Sequence, residues 1–255
     1  GNVRPSLHIQ CAAIAMRYLG NNFDIHTSNR DLIFPHHENE NAIAEALTGK
    51  TMANYWVHCE QVLVDGKKEV PAREGINLDD FEAMGLTPVE VRFWLLMTHY
   101  RKPLIFSPKQ AVSSKSSLER INRCLRNLAE VGEGRHYAEI DQLVYDLKQG
   151  FIRAMDDDLN VSEALGVVFT QVKKINSLVA DNALSGANAA KIIKVFKQIN
   201  EVLQVFDIGE HPLPDEVLKM IEQREQARAA KDWELADKLR AELAARGITV
   251  RDTSS

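Results

Sequence analysis

The chain has 255 residues, 45% hydrophobic and 26% charged, and carries a formal net charge of -5. That length can bury more than one core, and the acidic balance excludes a uniformly basic coat for nucleic acid, so RNA contacts are expected only on local basic faces. Three cysteines disfavour a disulfide framework and predict a reducing compartment, the cytoplasm. No apolar run approaches the roughly 18 residues that cross a bilayer, so no membrane partner is expected.

The first hundred residues mix helix and strand signals, which predicts an α/β domain. The predicted elements are a helix over Leu7–Leu19, a strand over Phe23–His26, a polar loop over 27–30, a helix from Pro35 to Gly49, and strands over Tyr55–His58 and Val62–Val64, the last closed by an Asp65-Gly66 turn. Because the chain starts at Gly1 rather than methionine, we expect part of the natural protein to be missing.

The rest of the chain has helical periodicity, which predicts an all-α bundle. Its predicted helices cover residues 109–128, 140–155, 162–179 and 187–206, followed after a linker at 211–214 by a charged helical stretch over 215–246 and a strand over 247–250. Asn160 and Glu163 have the spacing of a capping box, and the charged stretch is interrupted near Asp232. Residues 1–108, 109–210 and 211–255 are the predicted domains.

Three side chains have the chemistry of a zinc site. His36 and Glu40 are four residues apart, so a helix presents both on one face, and Cys11 on a separate helix could add a thiolate. The alternative is that the histidines at 36 and 37 cap the helix or pack under the sheet. In that case Glu38 and Glu40 simply favour the positive helix N-terminus.

Other candidate residues have ordinary structural alternatives. Lys115, Arg120 and Arg123 form a basic stripe that could bind an RNA backbone, although such a stripe is more often a solvated helix face. The run over 156–158 consists of three aspartates that could attract a divalent cation, but stabilisation of a helix start is the simpler interpretation. Cys59 and Cys124 are interpreted as small core residues.

The segment 34–40, Phe-Pro-His-His-Glu-Asn-Glu, resembles a signature of cysteinyl-tRNA synthetases. The other segments similar to motifs of that family are His8–Cys11, Asp24–His26, Tyr55–His58, Val64–Gly66, Phe93–Leu96, His99–Arg101, Met155–Asn160 and 236–248. The resemblance implies the second half of a Rossmann-type catalytic domain with a stem-contact segment, a helical bundle of the anticodon-binding type and a small C-terminal domain.

The resemblance further implies ATP-dependent ligation of cysteine to tRNA, with a zinc ion that recognises the substrate thiolate. The positions that match the family's zinc ligands are Cys11, His36 and Glu40, and the implied partners are tRNA and cysteine or a related thiol. A thiophilic metal rejects serine better than an apolar pocket could. The family's first zinc cysteine and its H-I-G-H motif belong to an N-terminal half and do not occur in this chain, so one ligand is absent.

The chain departs from the family around the nucleotide. The loop expected to read K-M-S-K-S reads Lys68-Glu69-Val70-Pro71-Ala72, where proline offers neither charge nor an amide donor. Lys68 is the one residue assigned to nucleotide binding, and no residue is assigned to catalysis. Thr27-Ser28-Asn29 replaces glycines that let the backbone approach adenosine, and Leu7 replaces a tryptophan of the cysteine pocket. The loop is therefore expected to be disabled for binding the ATP phosphates, unless Lys67, Lys68 or Arg73 substitutes for the missing lysines.

Two hypotheses of different classes follow. The first is a cysteinyl-tRNA synthetase homologue that does not form cysteinyl adenylate as this chain alone. The alternative is a non-catalytic binding module of that fold, for tRNA, a thiol metabolite or a protein partner. An N-terminal half in the uncut protein, or in a separate chain, could also restore the site.

Overall fold

The computed structural model describes residues 5–64, 76–208, 215–230 and 232–245. The chain forms two compact units, residues 1–208 and 209–255. The Lys68 loop, the Asp65-Gly66 turn, the 211–214 linker and the strand expected at 247–250 lie outside the described residues. Within the described parts of the chain, no helix is long and apolar enough to cross a bilayer.

The first part of unit 1 alternates helices with short parallel strands, as the α/β prediction requires. Its elements are α1 (Leu7–Leu19), β1 (Phe23–Asn29), α2 (Glu38–Thr48), β2 (Ala53–Cys59), β3 (Val62–Val64), α3 (Leu78–Ala83), α4 (Pro88–Leu96) and β4 (Leu104–Phe106). Strand β1 pairs with β2 and β3 pairs with β4, both in parallel. A 3-10 turn over Arg30–Leu32 and a π-helical turn over Ile33–His37 lead into α2.

The predicted bounds of α1 are confirmed, whereas α2 begins at Glu38 and not at Pro35, because a π-helical turn covers Ile33–His37. The polar loop expected over 27–30 is wrong. Strand β1 continues to Asn29, because residues 27–29 pair with Val57, His58 and Cys59 of β2. Backbone pairing across the sheet therefore overrides the polarity of these side chains. Helix α2 ends where expected: Gly49 has a φ of 69°, a left-handed conformation that glycine adopts without a steric penalty.

Helix α3 and strand β4 were not predicted. Strand β4 is only three residues long, and it exists because Leu104, Ile105 and Phe106 pair with β3. Side chains from this region form a compact apolar cluster: Phe81, Leu86, Val91, Trp94, Phe106 and Ala111. So short a strand has no sequence period of its own, and long-range pairing decides its existence.

Four helices follow and form the predicted bundle: α5 (Pro108–Ala129), α6 (Ile140–Asp156), α7 (Val161–Ala180) and α8 (Gly186–Leu203). Their apolar faces bury a single core that includes Ile121, Leu147 and Ile192. Helix α8 ends three residues earlier than predicted, because the Asn200 side chain accepts hydrogen bonds from the backbone amides of Val205 and Phe206 at 2.9 and 2.8 Å. That side chain stabilises a turn in place of another helical turn.

Unit 2 contains α9 (Asp215–Ala229) and α10 (Trp233–Ala245). The interruption predicted near Asp232 is confirmed. Asp232 Oδ1 accepts a hydrogen bond from the Leu235 amide at 3.1 Å, so its carboxylate satisfies a free amide at the start of α10. The two helices bury Val217, Ala227, Ala236, Leu239 and Leu243.

Candidate metal centre

The structure brings the three predicted zinc ligands together. Donor atoms of Cys11, His36 and Glu40 all lie within 4.8 Å of one another. His36 Nε2 is 3.0 Å from Glu40 Oε1, and the Glu40 side chain is only 2% exposed. A sulfur, an imidazole nitrogen and a carboxylate therefore converge on one point at the junction of α1 and α2.

Helix packing explains this convergence. Ala12 of α1 and Ala44 of α2 are both completely buried in one small apolar cluster, and their size lets the two helices approach closely. Cys11 precedes Ala12, while Glu40 lies one helical turn before Ala44. His36 ends up beside Glu40 because the π-helical turn runs directly into α2 and keeps the spacing of four residues.

The donor set fits a thiophilic cation. Glu40 Oε2 is buried and accepts no hydrogen bond from the described residues, although His26 Nε2 lies 3.3 Å away in poor hydrogen-bond geometry. A buried carboxylate oxygen of this kind is unfavourable unless a cation or donor neutralises it. Burial and the Glu40 carboxylate raise the pKa of the Cys11 thiol, and a bound cation would reverse that effect.

Further histidines surround the three donors. The residues in this aromatic cluster are His8, His26, His37, His58 and Trp56. His8 Nδ1 lies 3.1 Å from His36 Nδ1, and His37 Nδ1 lies 3.0 Å from His58 Nε2. Burial, with help from the neighbouring histidines, lowers the pKa of His37 to about 4. The imidazole of His37 is therefore neutral at pH 7.

Sequence reasoning assigned no role to His8, His26 or His58. The sequence could have indicated His8, because it precedes Cys11 by three residues and so lies on nearly the same face of α1. His26 and His58 project from the paired strands β1 and β2, a relation that the sequence does not contain. Only the parallel register brings those two side chains to the same edge of the sheet.

The predicted RNA-binding stripe is partly engaged within the protein. Lys115 Nζ donates a hydrogen bond to the Gly85 carbonyl at 2.8 Å and lies 3.4 Å from Glu90 Oε1. The Arg120 guanidinium lies 4.5 Å from the centre of the Phe169 ring. Arg123 is exposed on α5. RNA contact by this stripe remains a prediction.

Two smaller expectations are wrong. Cys59 is exposed at the end of β2, not a core residue, whereas Cys124 is fully buried as expected. The aspartate run does not lie at a helix start: Asp156 is the last residue of α6, and Asp158 occupies the following turn with a φ of 57°. Tyr100 Oη donates to Asp158 Oδ1 at 2.5 Å, and Arg101 Nε donates to its Oδ2.

Comparison with solved structures shows the class of fold. The ternary complex of Agrobacterium radiobacter K84 agnB2 LeuRS-tRNA-LeuAMS superposes with a TM-score of 0.53 over 71% of this chain and 26% of that chain, at 11% sequence identity. Residues 1–116 match the family described as tRNA synthetases class I (C) catalytic domain. The fold is therefore that of a class I aminoacyl-tRNA synthetase, a mixed α/β domain followed by helical domains.

Matches to the rest of the chain and to curated relatives identify the particular family. Residues 150–207 match the DALR domain, and residues 210–255 match the cysteinyl-tRNA ligase anticodon binding domain. Cysteine–tRNA ligases of Protochlamydia amoebophila and Brachyspira hyodysenteriae are 38% and 35% identical over 98% and 99% of this chain. The chain belongs to the cysteinyl-tRNA synthetase family, as the sequence motifs indicated. It spans about half the length of these relatives, 53% and 55%.

Proposed function

We propose that Cys11, His36 and Glu40 hold a zinc ion that selects the thiol of cysteine for ligation to tRNA. The observation that carries the proposal is the meeting of their three donor atoms within 4.8 Å. Membership of the cysteinyl-tRNA synthetase family supports the substrate, and the match of residues 210–255 to its anticodon binding domain supports tRNA as the partner.

Each ligand has a distinct part in this proposal. Cys11 supplies a thiolate, His36 a neutral imidazole nitrogen and Glu40 a carboxylate that is already desolvated. When bound, zinc supplies a soft Lewis acid that prefers a substrate thiolate to a hydroxyl. Glu40 is buried, and Cys11 and His36 are partly buried, so the three donors would hold the ion in one position. Cysteine and serine would then differ in the strength of a metal bond and not only in size.

Alkylation of the cysteines tests the metal site. Zinc should protect Cys11 from iodoacetamide because coordination removes the free thiolate, whereas exposed Cys59 should react at the same rate with and without zinc. Peptide mass spectrometry measures both sites in one sample. A Cys11→Ala variant should lose most of the roughly one zinc ion per chain expected for such a site. Full zinc occupancy in that variant would remove Cys11 from the ligand set.

Formation of cysteinyl adenylate by this chain alone is not part of the proposal. Adenylate chemistry must stabilise charge on the ATP phosphates, and the loop at 68–72 has glutamate and proline where lysine and serine are expected. The H-I-G-H motif does not occur in these 255 residues. The substitutions also favour the second candidate function, a binding module that retains the fold and binds tRNA without catalysis.

Cysteine-dependent pyrophosphate exchange separates these functions. The 255-residue chain should show no exchange above a protein-free control, because the groups that stabilise the phosphates are depleted. Exchange by this chain alone would contradict that expectation. The same assay on the complete gene product, with tRNA binding measured in parallel, distinguishes a ligase from a binding module: tight tRNA binding without exchange supports the module.

A further inference from the structure

His8 contacts a proposed metal ligand without belonging to the donor set. It lies on α1, three residues before Cys11, and its side chain is partly buried. His8 Nδ1 is 3.1 Å from His36 Nδ1, and the two ring centroids are 5.3 Å apart. The cluster of donor atoms within 4.8 Å contains Cys11, His36 and Glu40, so His8 is a neighbour of the site.

The two nitrogens of His36 face different partners. Nε2 is 3.0 Å from Glu40 Oε1 and so points toward the proposed ligands, while Nδ1 points toward His8. A neutral imidazole carries one proton, and a metal can bind only the nitrogen that lacks it. Coordination through Nε2 therefore requires the proton on Nδ1. A hydrogen-bond acceptor beside Nδ1 favours that tautomer.

We propose that His8 is a positioning residue of the metal centre: its Nδ1 accepts a hydrogen bond from the Nδ1–H of His36 and so holds Nε2 in the form that binds zinc. The inference rests on the proposed zinc site. Such a contact fixes both the tautomer and the orientation of the ligand ring. It also explains why a polar, partly buried histidine precedes Cys11 on an otherwise largely apolar helix.

Zinc affinity in three variants tests the role of His8. His8→Leu removes the acceptor, and the loss of an outer hydrogen bond of this kind typically weakens metal binding about 10- to 100-fold. His8→Asn keeps an oxygen acceptor near the position of Nδ1 and should recover most of the affinity. Gln10→Leu is the matched control, because it adds the same apolar side chain to an exposed position of α1. Competition with a chromophoric chelator measures all four proteins.

The outcomes separate this inference from the zinc proposal. If the wild-type chain binds no zinc, the proposed metal site is wrong. If wild type and His8→Leu bind zinc equally well, the site stands and the role of His8 is overturned. Nitrogen-15 NMR of the zinc-loaded wild type adds a test that needs no variant: His36 should be protonated at Nδ1 and coordinated through Nε2. Coordination through Nδ1 would also overturn the inference.

Discussion

At the scale of single residues, the three cysteines occupy three different environments. Cys124 is completely buried in the bundle core, and that burial raises the pKa of its thiol to about 12. Cys59 is exposed at the end of β2, and Cys11 is partly buried against Glu40. Since the thiolate is the nucleophile, a thiol whose pKa lies far above the working pH reacts slowly even with small reagents.

Differential alkylation checks this ranking. At pH 8 the native protein should incorporate iodoacetamide at Cys59, and Cys124 should be labelled only after urea exposes it and returns its pKa to the ordinary range. Mass spectrometry of the tryptic peptides quantifies each site. Labelling of Cys124 in the native state at a rate similar to that of Cys59 would show that the core opens readily.

Among the helices, the contact between α6 and α7 depends on a glycine. A methyl group placed on the Cα of Gly150 would lie 2.7 Å from Val167 Cγ1, closer than carbon atoms normally approach. A methyl group placed in the same way on Gly166 of α7 would have no neighbouring atom within 4 Å, so that glycine is not required by packing. Both glycines lie within helices, so alanine would improve helix propensity at both positions. Only at Gly150 would it also cause a steric clash, so comparing the two substitutions distinguishes the two effects.

Alanine substitutions at these two positions should change stability in opposite directions. Gly166→Ala should raise the free energy of unfolding by roughly 0.5–1 kcal/mol, because alanine favours the helix. Gly150→Ala gains the same preference, but overpacking against the stiff Val167 side chain costs about 1–3 kcal/mol, so a net loss near 1 kcal/mol is expected. Urea unfolding followed by circular dichroism measures both. A Gly150→Ala protein more stable than wild type would contradict the steric argument.

Helix ends show where local rules are sufficient. Asn160 Oδ1 accepts a hydrogen bond from the Glu163 amide at 3.2 Å, so the predicted cap of α7 is confirmed. The second hydrogen bond of a capping box is different here: Glu163 Oε2 accepts a hydrogen bond from the Asn160 side-chain amide and not from the Asn160 backbone amide. Thr87 and Glu90 form a complete capping box at the start of α4, with Pro88 in the first turn. Caps depend on neighbours within four residues, which a sequence displays directly.

At the scale of the whole chain, α4 joins the α/β part of unit 1 to the bundle. Val91 and Trp94 pack in the cluster around Phe81, whereas Phe93 is completely buried in the bundle core. Arg92 Nε donates a hydrogen bond to the Leu203 carbonyl at the end of α8, at 2.7 Å. A helix with apolar residues on opposite faces thus contributes to two cores, which links the segment of the catalytic-domain match to the helical domain.

Asp158 provides a second link between these parts. Its carboxylate accepts hydrogen bonds from Arg101 and Tyr100, which lie in the segment before β4, and these bonds, chiefly those from Arg101, lower the pKa of Asp158. The Glu60 amide donates to the Tyr100 carbonyl at 2.8 Å, so the same segment is also tied to the end of β2. The turn after α6 is therefore connected through Tyr100 to the sheet, while residues 209–255 form their own compact unit.

By itself, the sequence determined the α/β part, the four bundle helices, the Asn160 cap of α7 and the pairing of His36 with Glu40, because each depends on residues close together in the chain. The tertiary structure decided that β1 extends to Asn29, that β4 exists and that Cys11 reaches Glu40. It also placed His8 against His36 and Asp158 against Tyr100. These contacts join residues at least 28 positions apart, so strand pairing and helix packing, and not local periodicity, create them.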